Sequence, residues 1–275
     1  MRNEFQWCVC SVPTSAWSEA VFPELGAEEA EERLWGEILK ACRADSGSAV
    51  ENWKKHSEEL KKHVEILNGY SFKSLHYTNS LGTDLHVELP EGHYWAGGDE
   101  ESAKGVRFSA NIPTEEVFTL PKKYGVNGVV YSSRPLCLNG NLIKDFSFEV
   151  RDGKITEVHA AEGEDILRNA INVDEGASYF GEVALVPYDS PISDSGILFL
   201  NTLFDENASC HIAFGEAYPC IEGAETMSEE ELAERGVNFS MTHVDFMIGT
   251  ADLIITGTTH EGQEVPVFED GNFAF

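Results

Sequence analysis

At 275 residues with 42% hydrophobic side chains, the chain is long enough for one large domain or two small ones, and too apolar for general disorder. Its 19 Lys and Arg against 48 Asp and Glu leave a formal charge of -29, a surface that repels phosphate backbones and anionic lipid, so nucleic acid and membrane are poor partners. No apolar run reaches the length of a membrane span, and no secretory signal follows Met1. The six cysteines, without a CxxC pair, read as buried, reduced thiols of a cytoplasmic protein.

The chain opens with Gln6-Trp7-Cys8-Val9-Cys10-Ser11-Val12-Pro13, which reads as a strand ended by proline. Cys8 and Cys10 would share a face of it, too weak a pattern for a zinc site. Two helices follow. The first is predicted from about Ala27 to Cys42, with Leu34, Ile38 and Cys42 on one face. Glutamates crowd its first turns, and Lys40 and Arg43 stand at its end, where the helix dipole favours them. The second is predicted from about Ala49 to Leu67, with Val50, Trp53, Leu60, Val64 and Leu67 at helical spacing. His56 and His63 on this helix read as surface or packing residues.

Beyond Gly69 the pattern turns to short apolar runs broken by Gly, Asn and Pro, which predicts strands. Phe146–Val150 alternates and meets Lys154–Val158 through Arg151-Asp152-Gly153, a hairpin signal. Glu164 to Ile171 reads as a short helix. Ser228-Glu229-Glu230-Glu231 is a capping box opening a helix that Gly236 closes. The expected architecture is α+β, with two N-terminal helices leading into a strand-rich mixed sheet, as one domain over residues 1–275.

Three segments place polar groups among residues that otherwise read as buried. Glu115 and Glu116 sit together within Asn111 to Thr119, and Glu182 opens an apolar run that ends at Pro187. His211 lies in Cys210 to Gly215, and His243-Val244-Asp245 would project both polar side chains to one face of a strand. Each has an ordinary reading: strand-end glutamates often pair with backbone or arginine, and a lone histidine is usually a satisfied core residue. An ionised carboxylate in apolar surroundings is nevertheless costly unless a cation compensates it. Glu116, Glu182 and Asp245 supply three negative charges, with His211 and His243 as neutral donors. Two divalent cations and one bridging hydroxide would bring that set to neutrality. Its donors suit Zn, Co or Mn better than Mg or Ca.

At these segments the sequence resembles the thermophilic-type metalloaminopeptidases, the family of aminopeptidase T and aminopeptidase S. The resemblance runs from Pro13-Thr14-Ser15-Ala16-Trp17 through Leu75-His76-Tyr77, Gly82-Thr83-Asp84-Leu85, Asn111 to Thr119, Gly181 to Pro187, Ser190 to Ser193, Thr202 to His211 and His243 to Gly249. It implies a hydrolase that removes N-terminal residues from peptides, with broad specificity, a dinuclear metal site and a homodimeric state. The family's ligands fall on Glu116, Glu182, His211, His243 and Asp245. Its active-site tyrosine falls on Tyr218, a donor for the developing oxyanion.

By analogy with other two-metal exopeptidases, Glu115 is expected to act as general base beside the metal-bound water. The alternative turns it away from the cluster into a salt bridge. Asp205 and Glu206 are candidates to meet the substrate's ammonium or to cap their own loop. Family members carry a further N-terminal domain before the segment where this chain begins, so the chain is expected to be the catalytic region without it. One rival reading is a dinuclear phosphoesterase, against which the acidic surface and the lack of an Arg/Lys phosphate clamp both count. The other is a module that binds metal or a partner and turns nothing over.

Overall fold

A computed structural model describes residues 4–275. Residues 6–13 do not form the expected strand. Val9 alone bridges Asn111, donating to Ala110 O at 2.7 Å and accepting from Ile112 N at 3.0 Å, and its neighbours find no ladder. Cys8 and Cys10 are exposed thiols, against the expected burial that Cys210 and Cys220 do show, because the segment that carries them packs into no sheet. A short helix that the sequence reading passed over follows, α1 (Ser15–Val21), capped by Thr14 accepting from Trp17 N.

The two expected helices are present as α2 (Ala27–Ala41) and α3 (Ala49–Tyr70). Ala30, Leu34, Ile38 and Ala41 line the buried face of α2 at helical spacing. They pack with Ile192, Phe199, Phe204 and Ala208 into an apolar cluster of their own. Leu60 and Leu67 of α3 join the main core instead.

The strands before the next helix are β1 (Ser74–Thr78), β2 (Asp84–Glu88), β3 (Ala96–Gly97), β4 (Glu100–Glu101), β5 (Arg107–Phe108), β6 (Val117–Thr119), β7 (Val126–Tyr131), β8 (Leu136–Leu138), β9 (Asn141–Arg151) and β10 (Lys154–Glu162). Then come α4 (Glu164–Ala170), β11 (Phe180–Leu185), α5 (Pro191–Ser195), α6 (Thr202–Asp205) and β12 (His211–Gly215). The chain continues through α7 (Glu229–Arg235), β13 (His243–Met247), β14 (Ile254–Thr258), β15 (Glu264–Glu269) and β16 (Asn272–Phe273). Both capping-box hydrogen bonds of Ser228 and Glu231 form, and Gly236 closes α7 in the left-handed conformation.

The order β10-β9-β7-β2-β1-β14-β15-β16, with β8 on β9, makes a nine-stranded sheet, and β13-β12-β11-β6-β3 makes a five-stranded one. β4 and β5 pair separately. Each of these ladders is antiparallel, where a mixed sheet was expected; the α+β architecture is as read. The β9–β10 hairpin turns on Asp152 at φ 48° and Gly153 at φ 79°. Two consecutive positive φ values define the type I′ turn that an Asp-Gly pair favours.

Phe146 and Phe148 of the larger sheet pack against Phe180, Phe214 and Phe246 of the smaller one. Phe148 and Phe246 meet edge to face, their centroids 5.2 Å apart. Each such buried ring contributes roughly 1.5–3 kcal/mol by leaving water. The core therefore fixes one face of β12 and β13 and, beyond the irregularity between Phe180 and Glu182, of β11, and the alternate residues turn to the other face. That other face carries the polar groups.

Candidate metal centre

Register brings the groups together. Glu182 on β11 is aligned with Ala213 on β12, and Ala213 with Asp245 on β13. His211 and His243 stand two residues from Ala213 and Asp245 in sequence, hence on the same face. Glu116 enters from the residue before β6, the strand paired with β11. Gly215, opposite His243, has φ +105°, and a Cβ there would lie 2.0 Å from Thr242 O. Only glycine lets β12 and β13 close at that point.

His211 Nε2 lies 3.0 Å from Glu116 Oε2 and 3.6 Å from Glu182 Oε1. His243 Nε2 lies 3.3 Å from Asp245 Oδ1 and 3.8 Å from Glu182 Oε2. Glu182 thus presents one oxygen to each imidazole. The donors form two groups that share it, Glu116–Glu182–His211 and Glu182–His243–Asp245. Glu116, Glu182, His211 and Asp245 are buried, while His243 is partly exposed.

The other ring nitrogens fix the tautomers. His211 Nδ1 donates to Ser209 O at 3.2 Å, and His243 Nδ1 donates to Glu216 O at 2.8 Å. In the neutral rings both Nε2 lone pairs then face carboxylate oxygens, an arrangement that repels unless a cation sits between them. Asp245 Oδ1 is buried with no hydrogen-bond partner. This chemistry fits divalent metal. Without one, protons compensate. Burial favours neutral imidazole at both sites, but it is outweighed at His243 by Asp245 and Glu182, which push its pKa up to about 10. Glu116 and Glu182 raise that of His211 well above the ordinary value. Burial, with the nearby Glu116 and Asp245 charges, raises Glu182 too.

Glu115 is placed elsewhere than the general-base expectation put it. Both of its oxygens meet the Arg43 guanidinium, Oε2 at 2.8 Å from Nη2. His56 Nε2 lies 3.8 Å from the same carboxylate and donates to Thr114 O at 2.7 Å. The Glu115 N–H donates to Asn207 Oδ1 at 2.7 Å. A bidentate guanidinium engages the lone pairs a base would use. The salt-bridge alternative is the observed one. The sequence reading gave Arg43 to the helix dipole and His56 to packing, and it missed Asn207; all three brace the segment that carries Glu116.

Asp205 caps its loop, accepting from Phe199 N at 2.7 Å and Asn201 N at 3.0 Å. Glu206 next to it borders a small cavity together with Asp245 and Met247. Its proton affinity is raised first by burial and then by the nearby Asp245 and Glu116 charges. Tyr218 is 42% exposed, with its ring 5.7 Å from that of His243. A cleft of about 350 Å³ runs beside Glu116 and Glu182, with Trp7, Tyr94, Phe118 and Tyr218 in its walls.

The profile of the family described as thermophilic metalloprotease (M29) matches residues 1–273. Aminopeptidase AmpS of Bacillus subtilis (strain 168) is 49% identical over 274 residues, which cover 99% of this chain and 67% of that protein. Aminopeptidase T of Thermus aquaticus is 44% identical over 268 residues, 97% of this chain and 65% of that protein. The structure of wild-type AmpT from Thermus thermophilus superposes with a TM-score of 0.88 at 42% identity, covering 96% of this chain and 64% of that one. A 2,5-dihydroxypyridine dioxygenase from Pseudomonas putida KT2440 shares the fold at a TM-score of 0.52 and 15% identity, over 80% of this chain and 62% of that one. The chain spans about two thirds of the length of the relatives it matches.

Proposed function

The chain belongs to the thermophilic metalloprotease (M29) family and is a metalloaminopeptidase, and we propose that it works through two divalent metal ions held by Glu116, Glu182, His211, His243 and Asp245. The observation that carries this reading is Glu182, whose two oxygens face two different imidazoles and belong to both donor groups. When bound, two such ions supply an activated water and polarise the scissile carbonyl. Carboxylates mixed with imidazoles favour Zn, Co or Mn in these positions.

The chain's own residues divide the remaining work. Tyr218, at the cleft wall beside His243, donates its hydroxyl to the oxyanion that develops at the scissile carbonyl. Burial and the cluster's carboxylates raise its pKa, which keeps that proton in place. Glu206 takes the proton from the attacking water in place of Glu115. Its support is a position bordering the Asp245 cavity with one long contact to its oxygens, Asn207 Nδ2 at 3.5 Å from Oε1. Glu115 and Arg43 hold the Glu116 segment still. The aromatic cleft receives the N-terminal residue of a peptide, and acidic Glu101 at its wall suits a protonated amine.

The same reading makes residues 1–275 the catalytic region, acting as a homodimer in the cytoplasm. No helix among the described residues is long and apolar enough to cross a membrane. The test is hydrolysis of aminoacyl chromogenic amides by the chelated protein before and after adding Zn, Co or Mn, with Glu182→Gln alongside. We expect cleavage to return at two metals per chain and to stay absent in the variant. Full activity at one metal per chain would overturn the dinuclear reading, and two bound metals without cleavage of any amide would overturn the peptidase.

A further inference from the structure

A second set of metal-ligating side chains lies on the larger sheet, among residues with no part in the chemistry above. His76 on β1 stands directly opposite His86 on β2, and Asp84 precedes His86 by two residues on the same strand face. The two imidazoles stack with centroids 3.8 Å apart and planes 10° from parallel. His76 Nε2 lies 2.7 Å from Asp84 Oδ1, and one ligand atom from each of the three falls within 4.8 Å of the others.

The backbone beneath is fixed. β1 and β2 are interior strands of the nine-stranded sheet, flanked by β14 and β7. Leu75, Tyr77, Leu85 and Val87 alternate with the three ligands and are buried in the core. A slip of one residue would exchange the two sets, so the register is strongly held. The positions paired with His76 and His86 on the outer strands are Thr256 and Asn127, neither of them charged. The closest acidic neighbour along β2, Glu88, is taken by Lys122 at 3.3 Å. No cation on the paired strands therefore competes for Asp84.

We propose that His76, Asp84 and His86 form a peripheral site for one divalent late transition metal, Zn or Cu, separate from the centre on β11, β12 and β13. Two imidazoles with one carboxylate match the donor preference of these ions. Metal–nitrogen bonds of about 2.0–2.1 Å require the three groups to draw together. The two imidazoles must turn out of their stack so that a ring nitrogen of each aims at the ion, and Asp84 must exchange its bond to His76 for the metal. The half-exposed His76 and the exposed Asp84 and His86 have room to do so, and water fills the remaining coordination positions. A bound ion ties β1 to β2 from the solvent side and removes local negative charge from a chain of formal charge -29. The inference is independent of what the buried centre does.

The experiment counts metal. Chelated wild-type protein and the His76→Asn/His86→Asn double variant are dialysed against the same free zinc concentration, and bound zinc per chain is measured. The expected result is one zinc fewer in the double variant, with the remainder unchanged. Equal counts in two proteins with matching circular dichroism spectra overturn the site. The wild type gives a second reading, because the imidazole proton resonances of His76 and His86, assigned through the single variants, must shift as zinc is added. Resonances that stay in place through the titration also overturn it.

Discussion

The two sheets share one aromatic core yet treat their second faces in opposite ways. On β1 and β2 the second face is open to water, so Leu75, Tyr77, Leu85 and Val87 are buried while Asp84 and His86 are exposed. On β11 and β12 both faces are closed, and Glu182 and His211 are buried along with Val183 and Ile212. Carboxylates and imidazoles occur on both sheets. In water they cost nothing, whereas enclosed they need neutralising partners. Burial rather than residue type sets the candidate metal centre apart.

That contrast can be attacked from its apolar side first. Phe246→Ala removes the ring that touches Phe146, Phe148, Phe180 and Phe214 behind Asp245, and it should cost about 3–5 kcal/mol in urea unfolding. An equal truncation of Leu142, an exposed position on β9, should cost far less. The support of Glu116 comes next. Arg43→Ala leaves the buried Glu115 charge without its partner and should cost about 2–4 kcal/mol, much of it recovered when Glu115→Gln is added. If the double variant is no more stable than the single, the pair is not what holds that segment.

Tyr218→Phe tests the open rim of the buried face. With peptide amides, kcat should fall about 100-fold while KM and the urea midpoint hardly move. The last test is a slope with pH. In metal-free protein the neighbouring carboxylates outweigh burial and raise His243 from 6.5 to about 10. The folded state then binds that proton more tightly, so the stability it contributes is complete below about pH 6.5 and is lost as pH rises towards about 10. Glu182, also raised, acts in the same direction. Thermal midpoints of the chelated protein should therefore fall across this window, and those of the metal-loaded protein should fall less.

The parts legible in the sequence were those encoded locally. The periodicity of α2 and α3, the capping box at Ser228 and the Asp152-Gly153 turn each depend on residues a few positions apart. The five candidate ligands stood out because polar groups interrupted apolar runs and because the surrounding segments resembled a known family, and the fold brings all five together. Residues 6–13 misled because alternation describes a strand but supplies no partner, and only Val9 found one. The role of Arg43 was hidden for another reason. Its partner Glu115 lies 72 positions away, and Asn207 reaches the same residue from 92 positions away. No local pattern encodes such pairs. Glu206 carried a faint signal, a second acidic residue just upstream of Ser209-Cys210-His211, with nothing to separate meeting a substrate's ammonium from capping a loop.

The row of candidate ligands on neighbouring strands also sets a timetable for the newborn chain. Glu116 emerges first and Asp245 last, after most of both sheets has been translated. A nascent polypeptide that stops short of residue 245 lacks a donor however well its earlier strands pair. On the two-metal proposal, loading would await docking of β13 on β12, and acquisition of the ions would report that the smaller sheet has been assembled.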